Sequence, residues 1–352
     1  MRLPDTRFPA GALLRRAGLA AALAAGLAAC TDASGTLTLQ NDAFLGGTDR
    51  HYTNGLYFGG LAAAGPTLSG VARSVLPAPI EDREILAGAA LSQQMYTPAD
   101  ITTPMPDPNE RPYAGWLFAR MSLVAAEPRP MAGSAAAAGW RAAPVDRFDL
   151  DLGVVGPYSL AGDTQRRWHD IWGLKEPRGW GSQLRNEPGL VASWEHSRPL
   201  RRTAALGSID LELTPHVTAS LGNVFTFAGV GGTVRMGQNL PRLLGAPLLR
   251  SIGGALPEQG AEDFGWYVFA GAEGRAVARN LFLDGNTFRD SPNVDRRTLV
   301  ADIQVGAGMT FGRWRLTYVQ AFRTAEYSGQ NFGDSFGSIL LSFPLGPASP
   351  SR

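Results

Sequence analysis

Beyond residue 35 the chain alternates apolar and polar residues with a period of two. In the stretch 209–214, Ile209, Leu211 and Leu213 alternate with Asp210, Glu212 and Thr214. Phe148, Leu150, Leu152 and Val154 alternate with Asp149, Asp151 and Gly153. The clearest run places Leu299, Ala301, Ile303, Val305, Ala307, Met309 and Phe311 on one face, and Thr298, Asp302, Gln304, Gly306, Gly308 and Thr310 on the other. Period two is the signature of strands with one apolar and one polar face. A soluble sandwich would turn the polar face outward. A transmembrane barrel turns the apolar face to lipid and the polar face to its lumen. The pattern predicts strands near 36–44, 55–64, 85–94, 114–125, 147–155, 189–196, 209–221, 224–236, 264–277, 298–311, 314–325 and 335–343. An even number of strands, each near the roughly nine to eleven residues that cross a bilayer at a tilt, fits an all-β, transmembrane antiparallel barrel of about twelve strands.

With both termini in the periplasm, the external loops fall near 45–54, 95–113, 156–188, 222–223, 278–297 and 326–334. Residues 312–313 make a tight periplasmic turn. Trp116, Phe118, Trp266, Phe269, Trp314, Phe322 and Phe343 read as interface aromatics near strand ends or along outer faces. The Pro-rich segment 237–263 is long for the periplasmic side, and the pattern gives no reason for it.

Composition narrows the class. The chain has 352 residues, 32 Lys+Arg against 31 Asp+Glu, and 44% hydrophobic residues. A basic footprint for nucleic acid is missing. Arg2, Arg7, Arg15 and Arg16 followed by the apolar run Ala17–Ala29 mark residues 1–29 as a secretory signal, too short for a spanning helix. Its removal takes away four Arg and one Asp and moves the net charge from +1 to −2. The barrel domain is then 30–352. Leu27-Ala28-Ala29 before the sole cysteine, Cys30, resembles the lipobox of bacterial lipoproteins. The alternative is an ordinary signal peptide cut at the same Ala-rich site. One cysteine allows no intrachain disulfide.

Two polar clusters could carry chemistry. The first joins Asn41-Asp42 to Thr48-Asp49-Arg50-His51-Tyr52-Thr53-Asn54-Gly55, an oxygen-rich set that suits a hard cation such as Ca2+. It could also be a polar hairpin tip with Asx turns. By parity Asp42 shares a face with Thr38 and Gln40, and Asn41 shares the lipid face with Leu37 and Leu39. A polar residue there needs a partner or a purpose. The second is Asp163-Thr164-Gln165-Arg166-Arg167-Trp168-His169-Asp170-Ile171-Trp172. It reads as a short helix capped by Asp163 or Thr164, with Gln165 and His169 on one face and Trp168 and Trp172 on another. A histidine is the natural general base near neutral pH, although an isolated one is usually structural. His196 and His216 read as structural. Gly333-Asp334-Ser335-Phe336-Gly337 has nucleophile-elbow spacing, but a strand follows it and no histidine does. Asp284 to Asp290 opens like a calcium loop and lacks its later Glu. Arg111 and Lys175, with Arg50, are outer-rim cations able to hold phosphate.

Together, Asn41-Asp42, Asp49 to Gly55, Arg111 to Trp116, Gly153 to Pro157, Gln165 to His169, Gly179-Trp180, Gln183 to Pro188 and Gly285 to Arg289 resemble the lipid A 3′-O-deacylase family of Gram-negative outer membranes. The resemblance covers about 36–343. It implies a twelve-stranded barrel with its active site at the outer-leaflet end. It implies calcium dependence and removal of the 3′-linked acyloxyacyl group from lipid A, by a mechanism like that of calcium phospholipases A2. Carried over by position, His169 activates water, Asn41, Asp42, Thr53 and Gln165 line the site, and Asp42 with Asn41 holds Ca2+. Arg50, Arg111 and Lys175 would bind the lipopolysaccharide substrate. The family has an acidic residue six positions after the histidine. Here Lys175 stands there and Glu176 follows. The expected partners are lipid A and the outer membrane, with the chain acting as a monomer. The alternatives are a passive barrel, as a pore or structural protein, and an outer-membrane phospholipase.

Overall fold

A computed structural model describes residues 33–42, 44, 51–77, 80, 82–128, 140–244 and 264–345. The signal segment, Cys30 and Arg50 lie outside them. Twelve strands make the wall: β1 Ser34–Asn41, β2 His51–Ala63, β3 Glu84–Thr97, β4 Ala114–Ala126, β5 Val145–Val155, β6 Glu187–Ser197, β7 Ile209–Gly222, β8 Phe225–Gln238, β9 Phe264–Asn280, β10 Leu299–Phe311, β11 Trp314–Arg323 and β12 Asp334–Pro344. Each pairs antiparallel with the next, and β12 returns to β1 from Ser34↔Pro344 to Asn41↔Gly337. Closure satisfies every strand's backbone and leaves no edge. Leu200–Leu206 continues β6 along β7, in the same register as far as Arg202 and shifted by Leu206, and Arg141–Ala142 adds to its free side.

Strand parity decides what each side chain meets. Thr36, Thr38 and Gln40 are buried in the lumen while Leu37 is exposed outside. Ile303, Val305, Met309 and Phe311 are exposed outside, and Gln304 and Thr310 are buried inside, as the alternation predicts. Trp116, Phe118 and Phe269 are a correction. All three are buried and point inward rather than joining an outer girdle. In β4 the outward positions are Leu117, Ala119, Met121 and Leu123, and the inward ones include Trp116, Phe118 and Val124, so both faces carry large apolar residues and the pattern is ambiguous there.

Ion pairs and aromatic rings crowd the lumen around a cavity lined by Tyr52, Tyr96, Arg120, Asp151, Arg275 and Phe336. Arg120 meets Asp151 at 2.6 Å, Arg147 meets Asp149 at 2.9 Å, Arg235 meets Glu212 at 2.8 Å and Arg275 meets Asp302 at 2.6 Å. Above this layer Tyr52, Tyr96, Trp116, Phe225, Phe282 and Phe336 form an aromatic plug, with Tyr96 stacked on Phe282 at 4.3 Å. Phe282 comes from a one-turn helix, Leu281–Asp284, that dips into the outer mouth. At the other end, residues 239–244 account for part of the long periplasmic segment. They fold across the mouth, burying Leu240 and Leu244, with the Leu240 carbonyl held by Arg201 at 2.9 Å and Arg242 bound to Glu84 at 3.2 Å. Helix α1, Pro66–Val75, which the alternation does not show, lies beside the periplasmic end of the wall.

Arg111 turns inward from its loop. It is fully buried over the Tyr96 ring and pairs with Glu326 at 3.2 Å, and Glu326 also meets Arg323 at 3.6 Å. Removing one partner of a buried pair leaves an uncompensated charge. Glu326→Ala is expected to lower stability by about 3–5 kcal/mol, read by reversible urea unfolding of the micelle-bound barrel.

Candidate active site on the outer wall

The site begins with strand register. Residues directly opposite on an antiparallel pair project to the same face. One outward row runs Leu39, Leu56, Gln93, Leu117 across β1 to β4. The next, at the outer rim, runs Gly337, Asn41, Asn54, Met95, Gly115. Outward positions of a membrane barrel should be apolar and exposed. Here Asn41, Asn54 and Gln93 are polar and only 7%, 6% and 8% exposed. Asn41 therefore sits on the outward face, as parity places it, and is covered. The Asn54 side-chain oxygen is buried and accepts no hydrogen bond. Asp42 follows at the strand end, also buried.

Over Gln93, Met95 and Gly115 the cover is the segment 156–186. Pro157–Ser159 makes a 3-10 turn, and helix α2 follows as Ala161–Trp172. Its first turn rests on the wall. Gln93 Nε2 donates to the Ser159 carbonyl at 2.6 Å, and Met95, Ile101, Tyr113, Ala161 and Trp180 pack together. Gly115 has no Cβ because one would overlap the Ser159 hydroxyl and the Ala161 methyl. Asn41 stands two strands from Met95, about 10 Å at ordinary strand spacing. Gly115→Val is therefore expected to keep the barrel but lift this turn, lowering activity at least tenfold. The check is hydrolysis measured on protein that still shows the folded, heat-modifiable band.

Asp163 and Thr164 do not cap α2, a correction to the sequence reading. Leu160 precedes the helix in a left-handed conformation, Asp163 pairs with Arg166 at 2.5 Å, and the Thr164 hydroxyl donates to the Leu160 carbonyl at 3.1 Å. Gly173, at φ +62°, ends the helix as left-handed glycine readily does. Gln165 and His169 share the buried face, at 2% and 3% exposed. Trp168 and Trp172 form the other stripe, with ring centroids 5.8 Å apart. Gln165 Oε1 accepts from Trp180 Nε1 at 2.7 Å, while its Nε2 is buried without a partner.

His169 Nδ1 is hydrogen-bonded to the main-chain oxygen of Lys175. A carbonyl can only accept, so Nδ1 carries the proton and the lone pair is on Nε2. The position six after the histidine keeps contact with the imidazole through its backbone, whatever its side chain. Glu176 does not take that part. It pairs with Arg178 at 3.2 Å, both side chains exposed. The Lys175 turn is anchored by the Arg178 amide on the Ile101 carbonyl at 2.8 Å. Next to it, the hydroxyl and amide of Thr102 hold the Asp100 carboxyl below its usual range, and the Lys175 charge adds to that.

Of the residues expected at the site, Asn41, Asp42, Gln165 and His169 lie at the same mouth, Asn41 and the seat of α2 on the same outer side. Thr53 is the residue at which the β2–β3 register shifts. Arg111, expected at the rim surface, is buried in the plug instead. The other matched motifs tie loops together. Glu187 Oε2 accepts from the Thr287 amide at 2.8 Å and Asn286 Nδ2 at 3.0 Å, Asn286 Oδ1 accepts from the Arg185 amide at 2.8 Å, and Asn186 Oδ1 accepts from the Tyr158 amide at 2.8 Å. Asp284, the start of the calcium-like loop, is engaged by Arg296 at 3.0 Å. Asn54 belonged to the oxygen-rich cluster, though no separate role was given to it; Gln93 was missed. Its signal was present, since it is a polar residue on an outward parity position beside a rim motif.

The sequence model described as outer membrane protein LpxR matches residues 13–345. Among solved structures, LpxR from Salmonella typhimurium superposes with a TM-score of 0.69 at 22% identity, covering 88% of this chain and 99% of that one. The translocator domain of the autotransporter NalP from Neisseria meningitidis reaches a TM-score of 0.36 at 9% identity, over 95% of this chain and 96% of that one. Comparison with curated proteins finds no match. With a family match across nearly the whole chain and a closed twelve-strand wall, this protein belongs to the LpxR family and is a Gram-negative outer-membrane barrel.

Proposed function

We propose that this chain is a calcium-dependent lipid A 3′-O-deacylase. The observation that carries the reading is the His169 imidazole, fixed by a backbone carbonyl with its lone pair on Nε2, on a helix seated against the outside of the wall at the mouth where Asn41 and Asp42 are buried. Nε2 takes a proton from water as the water oxygen attacks the ester carbonyl carbon. The tetrahedral intermediate breaks its bond to the sugar oxygen, and the imidazolium returns the proton to that oxygen. The products are a carboxylic acid and a free 3′ hydroxyl. The partnerless Gln165 Nε2 is a donor for a substrate oxygen. Arg50 and Lys175 are the cations proposed for its phosphates.

The residues present fit a calcium ion. Asp42 gives a carboxylate, Asn41 an amide, and Asn54 a buried oxygen that accepts no hydrogen bond, all of them hard donors. Among the described residues no cluster of three His, Cys, Asp or Glu would hold a metal alone. The remaining ligands would be main-chain oxygens, water and substrate. When bound, calcium polarises the ester carbonyl and stabilises the oxyanion. A site outside the wall also lets the acyl chains stay among lipids while the sugar ester meets the polar row.

A passive pore would have to pass the aromatic cluster at the outer mouth and residues 239–244 at the other, and a conductance trace separates it from the enzyme. The phospholipase alternative is separated by substrate. Purified barrel with Ca2+ is incubated with lipid A and, in parallel, phosphatidylethanolamine. Mass spectrometry should show loss of the acyloxyacyl group from lipid A and intact phospholipid. Hydrolysis of phospholipid alone would overturn the reading.

A further inference from the structure

Helix α1 lies on the outer wall at the periplasmic end, on the opposite mouth from the active site. Gly65 and Pro66 open it, and Pro is well tolerated at a first helical position. Ala72 and Leu76 pack with Ile80, Ile85 and Ala125, against the outward residues Leu123 and Phe148 and with Trp194 beside them. A second apolar stripe is left uncovered. Leu68, Val71 and Val75 are 47%, 45% and 42% exposed. At about 100° per residue, this stripe is centred roughly 90° around the helix from the Ala72/Leu76 face, and Arg73 lies nearly opposite the stripe. With the Ala72/Leu76 face on the wall, the apolar stripe and Arg73 therefore occupy the two opposite flanks of the helix.

The outward surface that α1 continues is the lipid-facing belt. Across the barrel, Phe264 packs on Phe311 at 5.2 Å and Trp314 on Phe343 at 5.8 Å, and these rings border the periplasmic ends of β9 to β12. On the β3–β5 side α1 occupies the corresponding position. A polar-backed helix with an exposed Leu/Val stripe, lying beside a membrane belt, suits the boundary between acyl chains and headgroups. We propose that α1 is an in-plane anchor: its Leu68/Val71/Val75 flank is embedded in the inner-leaflet phospholipids and Arg73 faces the periplasmic water, which fixes how deep the barrel sits on that side.

The chain's single cysteine makes the test direct. In a Cys30→Ser background, Val71→Cys and Arg73→Cys are each spin-labelled. The full-length mature barrels are refolded into vesicles of phosphatidylethanolamine and phosphatidylglycerol, and folding is checked by heat modifiability. Both positions are exposed, so neither label disturbs packing. Collisions with oxygen should exceed collisions with a water-soluble nickel chelate at position 71, and the order should reverse at position 73. The same order at both positions, nickel-favoured or oxygen-favoured, overturns the proposal, because the helix would then lie in water or wholly within the hydrocarbon.

Discussion

His169→Ala is expected to insert normally and to lower deacylation at least 100-fold, the lower end of what a positioned base contributes (about 10²–10⁴-fold). The variant removes no luminal contact, so its urea midpoint should match the parent's. Mass spectrometry of lipid A from cells producing it would then show the unmodified species only, and normal deacylation would exclude His169 as the base. A companion variant tests the backbone contact. Lys175→Ala keeps the carbonyl that accepts from Nδ1. It should leave kcat nearly unchanged and raise KM if the ammonium binds phosphate, the pattern of an interaction made equally in ground and transition states. A large fall in kcat would mean that the side chain, not the main chain, orients the imidazole.

The second large effect is expected on removing calcium. Chelation should silence the enzyme and Ca2+ should restore it. Mg2+ should not, because it demands a tighter octahedral shell than one carboxylate and a few amide oxygens offer. Asp42→Asn should raise the Ca2+ needed for half-maximal activity by at least tenfold. A thermal reading independent of turnover follows from linkage, since a ligand that binds only the folded state stabilises it. Ca2+ should raise the parent's melting temperature and leave that of Asp42→Asn nearly unmoved. Full activity in chelator would remove calcium from the mechanism.

The wall was legible in the sequence because period two is a local signal. All twelve strands are found where residues such as Leu299–Phe311 alternate. Parity also placed Asn41 outside, which is why the proposed site is assigned to the outer surface. Parity failed where both faces carry large apolar residues, as at Trp116 and Phe118. Arg111 was misread because a loop cation looks the same whether it faces solvent or folds over Tyr96 to meet Glu326, 215 residues away. Helix α1 was invisible for a similar reason. Its Gly, Ser and Thr dilute a helical pattern, and tertiary packing holds it. The Lys175 contact could not have been read at all, because a backbone oxygen has no letter of its own.

On the proposed function, with the polar row on the exterior of the cylinder, the lipid substrate would arrive by drifting sideways within its own leaflet. The encounter rate then scales with the number of target molecules per unit of membrane area, not with how much is dispersed in the tube. Crowding that leaflet with inert amphiphile would then slow turnover even at constant total substrate, and the detached acyl group would depart along the same two-dimensional plane.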